Sequence, residues 1–89
     1  MRFPILTALF TLAASVAFAE GPKCTSAPKS QWLSQDAMKA KIAQGGYTYK
    51  VFKVTSGNCY EIYGQDKDGR RVEIYFAPVS GAINVEHKS

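Results

Sequence analysis

The sequence predicts an α+β fold, with one α-helix packed on a four-stranded antiparallel β-sheet. Three observations predict it. Helix signals cluster between Ser34 and Gly46, the apolar period changes to two from Tyr47 onward, and the intervening loops have lengths that bring apolar residues of successive strands onto one face.

The N-terminus precedes all of this and reads as an address. Met1-Arg2-Phe3 is a short basic start, Ile5 to Val16 is apolar, and Ala17-Phe18-Ala19 has the small-x-small pattern of a cleavage site. Residues 1–19 are therefore expected to be a secretory signal peptide cut after Ala19. A membrane anchor would need about 18 or more apolar residues, and this run is shorter. A lipid-bearing Cys24 would need small residues directly before it, where Pro22 and Lys23 stand. Residues 20–33, with two prolines and several small polar residues, read as an extended arm, and residues 34–89 as the domain.

Loss of Arg2 with the signal lowers the formal charge from +4 to +3. The remaining basic residues are dispersed among acids, which fits a solvated surface and not the concentrated stripe of a nucleic-acid binder. Two cysteines in an exported chain of this size point to one disulfide, Cys24 to Cys59, holding the arm to the domain. A redox pair or a metal site is the other reading. There is no C-x-x-C, however, and His87 is the single histidine, whereas zinc wants about four ligands.

The helix is expected over residues 35–44. Ser34 can cap it, Leu33 and Met38 stand in hydrophobic-staple positions, and Asp36 in the first turn with Lys39 and Lys41 later suits the helix dipole. Met38 and Ile42 share a face, and Gly45-Gly46 stops the run. Trp32 is expected to pack at the start of the helix.

Strands are expected over 47–55, 59–66, 70–76 and 82–86. A three-residue loop Lys67-Asp68-Gly69 pairs Ile62 with Ile74, Tyr60 with Phe76 and Gly64 with Val72; a two-residue turn would set core residues against solvent-facing ones. Likewise Ser56-Gly57-Asn58 pairs Val54 with Tyr60 and Phe52 with Ile62, leaving Lys53 opposite Glu61. Across Pro78 to Gly81, Phe76 is expected to face Ile83, and Ile74 to face Val85. One face then carries Phe52, Val54, Tyr60, Ile62, Val72, Ile74, Phe76, Ile83 and Val85, covered by Leu33, Met38 and Ile42.

The same alternation leaves Tyr49, Val51, Tyr63 and Tyr75 on the opposite face as the candidate partner-binding residues, since tyrosine joins apolar area to a hydroxyl. An exposed strand edge that receives a peptide is a further candidate. Glu61 and Glu73 read as surface carboxylates beside Lys53 and Arg71. No Ser-His-Asp or Cys-His set can be assembled with both cysteines bridged and His87 isolated, so no catalytic residue is expected, and no cofactor or metal. Asp66-Lys67-Asp68-Gly69 lacks the downstream acid of a calcium loop and reads as a turn.

Cys24, Trp32, Gly46-Tyr47, Gly57, Cys59-Tyr60-Glu61, Asp66-Lys67-Asp68-Gly69, Val72-Glu73 and Pro78-Val79-Ser80-Gly81 together resemble the PepSY pattern, above all its small, exported, single-domain branch. The resemblance runs from Cys24 to about Val85. It implies a helix on an antiparallel sheet. Because PepSY domains occur in propeptides of secreted metallopeptidases and in cell-envelope proteins, it also implies a non-catalytic module, periplasmic or secreted. Such a module would bind a protein or peptide partner and regulate or inhibit a peptidase. The alternative is a small ligand- or metal-binding periplasmic protein. The chain departs from the pattern at Ala77, where an aspartate usually precedes the proline.

Overall fold

The computed structural model describes residues 21–89; the expected signal peptide, residues 1–19, lies outside the described residues. The elements follow in the order α1 (Gln35–Gln44), β1 (Thr48–Val54), β2 (Tyr60–Gln65), β3 (Arg71–Phe76) and β4 (Ile83–Lys88), with a short 3-10 turn, Lys29–Gln31, before the helix. The strands form one antiparallel sheet in the order β1-β2-β3-β4. The α+β class predicted from sequence is the observed one.

Helix α1 has the expected bounds for the expected reasons. The Ser34 hydroxyl accepts from the amide of Ala37 at 3.0 Å, and Gly46, at φ +86°, carries the chain out of the helix. Met38 and Ile42 are fully buried against Tyr60, Ile62, Val72, Ile74 and Phe76. At the start of the helix, Trp32 packs edge-on against Tyr60 with ring centroids 5.5 Å apart, and its indole N–H donates to the Ala27 carbonyl at 3.1 Å. The Tyr60 hydroxyl reaches under the helix to donate to the Leu33 carbonyl at 2.6 Å.

Both short hairpin loops are of one kind, and together they fix the register of the central strands. In each, a backbone hydrogen bond (Thr55 N–H to the Cys59 carbonyl, Asp66 N–H to the Arg70 carbonyl, both 2.9 Å) closes a three-residue loop just beyond the strand ends, and the third loop residue is left-handed: Asn58 at φ +63° and Gly69 at φ +82°. The residue before each loop turns its side chain back on the chain. The Thr55 hydroxyl accepts from the amide of Cys59 at 3.1 Å, and the Asp66 carboxylate from those of Asp68 and Arg70 at 2.9 and 3.0 Å. Ile62 therefore faces Ile74, Tyr60 faces Phe76, Phe52 faces Ile62, and Val54 faces Tyr60, as the loop lengths require.

The two outer strands depart from strict alternation. In β1, Tyr49 pairs with Gly64 and Val51 with Tyr63, so Lys50 is left over as a bulge. Gly64 lacks a side chain, and a Cβ there would collide with the Thr48 carbonyl oxygen, so β1 closes onto it at this point. In β4, Phe76 faces Ile83 as expected, but Tyr75 faces Val85 and Ile74 faces Glu86, so the expected pairing of Ile74 with Val85 is corrected. The extra residue moves Val85 to the face away from the helix. Ile83 also leaves the expected core and is 44% exposed. A helix about 10 Å across covers roughly two strands spaced about 4.8 Å apart, and α1 covers β2 and β3.

The arm is tied down at Cys24, which forms a disulfide with Cys59, Cα to Cα 5.1 Å, across 35 residues of chain. On chain-entropy grounds closing such a loop contributes about 3–4 kcal/mol. That is a large share of the stability of a domain this small.

Candidate functional site

The sheet face turned away from α1 is built mainly by β2 and β3. Their register sets Glu61 opposite Tyr75 and Tyr63 opposite Glu73. Lys53 and Val51 of β1 extend this arrangement on one side, since they pair with Glu61 and Tyr63. Val85 and His87 of β4 extend it on the other, opposite Tyr75 and Glu73.

The four expected partner-binding residues do not lie together. Val51 and Tyr63 are cross-strand neighbours, 41% and 44% exposed. Tyr75 is on this face but buried, because Gly21 of the arm lies against its ring: a Cβ on Gly21 would stand 2.5–2.6 Å from the ring edge and hydroxyl. Tyr49 is on the other face. The Lys50 bulge turns it toward the helix side, where it packs on the core with its ring centroid 5.9 Å from that of Phe52. The candidate patch therefore contracts to Val51 and Tyr63. Lys53 lies over the Tyr63 ring at 5.6 Å and shields one side of it.

Glu61 corrects a second expectation. It is only 2% exposed and so is not a surface carboxylate. Its Oε1 lies 3.7 Å from the Lys53 ammonium, while its Oε2 has no hydrogen-bond partner among the described residues. Burial, followed by the adjoining Glu73 carboxyl, pushes the Glu61 pKa up. Glu73 moves the other way, held low first by the neighbouring Glu61 carboxyl and then, against partial burial, by Tyr75 and Tyr63. The two carboxyls thus act as a pair, with Glu61 the one that keeps the proton. The Tyr75 hydroxyl donates to Glu73 Oε2 at 2.8 Å, and the neighbouring Glu73 carboxylate pushes the Tyr63 hydroxyl up to about 12. The alternation of Glu and Tyr in β2 and β3 showed that these groups share a face. It gave no sign that the arm would lie against Tyr75.

Two hollows flank this quartet. One, of about 230 Å³, is lined by Lys53, Thr55, Ser56, Glu61, Tyr63, Glu73 and Tyr75. The other, of about 860 Å³, runs along the far end of the sheet past Tyr63, Glu73, Arg71, Lys50, His87 and Lys88. Glu73 lines both hollows, with Lys53 and Glu61 at the smaller one and Lys50 and Arg71 at the larger. Both cysteines are bridged, so no thiol nucleophile remains. Among the described residues no three His, Cys, Asp or Glu side chains converge as metal ligands, and no helix is long and apolar enough to cross a membrane. The disulfide fits an oxidising compartment.

A family model described as the peptidase propeptide and YPEB domain, PepSY_2, matches residues 4–87. No curated protein and no solved structure matches.

Proposed function

The chain belongs to the PepSY family, and from that premise we propose that it is a non-catalytic, exported module that binds a protein or peptide partner in the cell envelope and regulates a peptidase. Family membership supports a propeptide-like role, and the disulfide supports an oxidising destination. The observation that carries the binding reading is the exposed cross-strand pair Val51 and Tyr63, set beside the 860 Å³ groove on the face that the helix leaves open. An aromatic and an aliphatic side chain with cationic neighbours fit a partner segment that presents apolar and acidic residues. Strand β1 is also a sheet edge, so an extended segment of the partner can add its backbone beside Val51.

The test is capture from envelope extract with the exported protein and its Tyr63→Ala variant, followed by assay of any captured peptidase with and without the module. A partner retained by the wild type and lost by the variant, with its peptidase activity changed by the module, is the expected result. Capture that is indifferent to Tyr63 removes the patch, and a captured peptidase unaffected by the module removes the regulatory role.

A further inference from the structure

The sheet has two open edges, β1 and β4, and they are finished differently on the helix side. On β4, Glu86 and Lys88 stand opposite Ile74 and Val72. Their charges close on neighbours: the Tyr47 hydroxyl donates to Glu86, and Lys88 meets Glu86 at 3.8 Å and Asp66 at 3.5 Å. On β1 the helix side is aromatic. The rings of Trp32, Tyr60, Phe52 and Tyr49 follow one another with centroids 5.5, 5.3 and 5.9 Å apart. Tyr60 is buried, but Trp32, Phe52, Tyr49 and Val54 are only half-buried, since α1 lies over β2 and β3. Lys29 lies over the Trp32 ring at 5.6 Å, and Lys39 over the Phe52 ring at 5.0 Å. Among the described residues neither of these lysines has an ion-pair partner.

The unpaired backbone of β1 belongs to the same residues. The Thr55 N–H bonds the Cys59 carbonyl, and residues of an antiparallel ladder turn their backbone groups to the partner strand by turns. Lys53 therefore faces β2, while Phe52 and Val54 turn their N–H and C=O groups to the open edge. Their side chains pack on the core, on the helix side. A strand added antiparallel to β1 bonds to these two residues and sets its own paired side chains over the aromatic shelf.

We infer that β1 receives an antiparallel strand of the partner whose shelf-facing residues are apolar and acidic by turns. The apolar ones rest on Phe52 and Val54, and the acidic ones reach the ammonium groups of Lys39 and Lys29. Charge selects the occupant: both cations at the shelf lack a carboxylate, so an acidic strand is drawn in and a basic one repelled. The inference rests on the partner-binding reading above and gives that partner its chemistry.

The probe is a synthetic peptide, Thr-Val-Thr-Asp-Thr-Val-Thr-Asp-Thr, titrated into the exported protein and followed by the NMR shifts of its backbone amides. The same peptide with lysine for aspartate is the charge control. Two further forms are N-methylated, one on the valines, whose amides bond β1, the other on two threonines, whose amides point away. Shifts centred on the amides of Phe52 and Val54 are expected. The aspartate peptide should bind about fivefold more tightly than the lysine peptide, and Lys39→Glu should abolish or reverse that preference. Methylation of the valines should weaken binding about tenfold or more, and methylation of the threonines should leave it unchanged. The methylated pair needs no protein variant, so the test stands even where Lys39→Glu disturbs folding. Absence of binding, equal effects of the two methylation patterns, or a folded Lys39→Glu protein with the wild-type preference overturns the inference. Its failure is distinct from that of the outer patch. Edge binding without a Tyr63-dependent partner keeps the shelf and removes the patch, and Tyr63-dependent capture without shifts at the edge does the reverse.

Discussion

The amide of Cys24 donates to the carbonyl oxygen of Gly57 at 2.9 Å, so the arm and the first hairpin loop meet backbone to backbone beside their disulfide. The approach leaves no room for a side chain: a Cβ on Gly57 would collide with the Pro22 carbonyl oxygen. Gly57→Ala is expected to lower stability by about 1–3 kcal/mol and to loosen the arm from Tyr75. Gly69→Ala separates space from conformation. Nothing lies within 4 Å of a Cβ there, but φ is +82°, so its cost is about 1–2 kcal/mol of backbone strain with Tyr75 still covered. Urea unfolding gives the stabilities, and acrylamide quenching of tyrosine fluorescence gives the covering. Equal quenching in the two variants would show that Gly57 does not hold the arm in place.

The central fold was legible because local chemistry and the hydrophobic pattern agree in it. Ser34 and Gly45-Gly46 bound α1, and the loops before Cys59 and Arg70 leave one register that keeps Ile62 and Ile74 together. The misreadings lie in β1 and β4, and in both a single unpaired residue reverses a face. Tyr49 changed sides through Lys50, and Val85 through the irregularity beside Tyr75. Such bulges depend on how a neighbouring strand approaches, as Thr48 approaches Gly64, and residue type along one strand does not encode that. Glu61 was misjudged for a related reason. Its face follows from alternation, but its burial depends on how Lys53, Tyr63, Glu73 and Tyr75 gather round it, which alternation along one strand does not show.

The reversal of Tyr49 makes a stability contrast that checks it. Tyr49 packs on the core beside Phe52, whereas Tyr63 stands 44% exposed with Lys53 over its ring. Tyr49→Ala is expected to cost about 1–3 kcal/mol, short of the cost of deleting a fully buried aromatic ring. Tyr63→Ala is expected to cost about 1 kcal/mol or less, from a surface ring and its cation contact. Thermal unfolding of both variants decides between the faces. A larger loss at Tyr63 than at Tyr49 would return Tyr49 to the outer surface.

Asp66 supplies a pH test at the other end of the sheet. Its Oδ1 accepts from the amides of Asp68 and Arg70, and its Oδ2 lies 3.5 Å from the Lys88 ammonium. Desolvation pulls its pKa up, but the amides of Arg70 and Asp68 and the cation of Lys88 outweigh that and leave it below 3.8. With the folded pKa below the unfolded one, the unfolded chain takes up the proton first as pH falls. The contribution is therefore present above about pH 3.8 and is lost as pH drops through the folded value. Asp66→Ala is expected to melt below the wild type at pH 7, with the gap narrowing below pH 3.8. Asp66→Asn keeps an acceptor for the two amides and loses only the charge, so it should fall between them. Its deficit should shrink in high salt, where the Lys88 attraction is screened. Melting temperatures of the three proteins from neutral pH to about pH 2 test the linkage. A gap that does not change with pH would assign Asp66 to turn geometry alone.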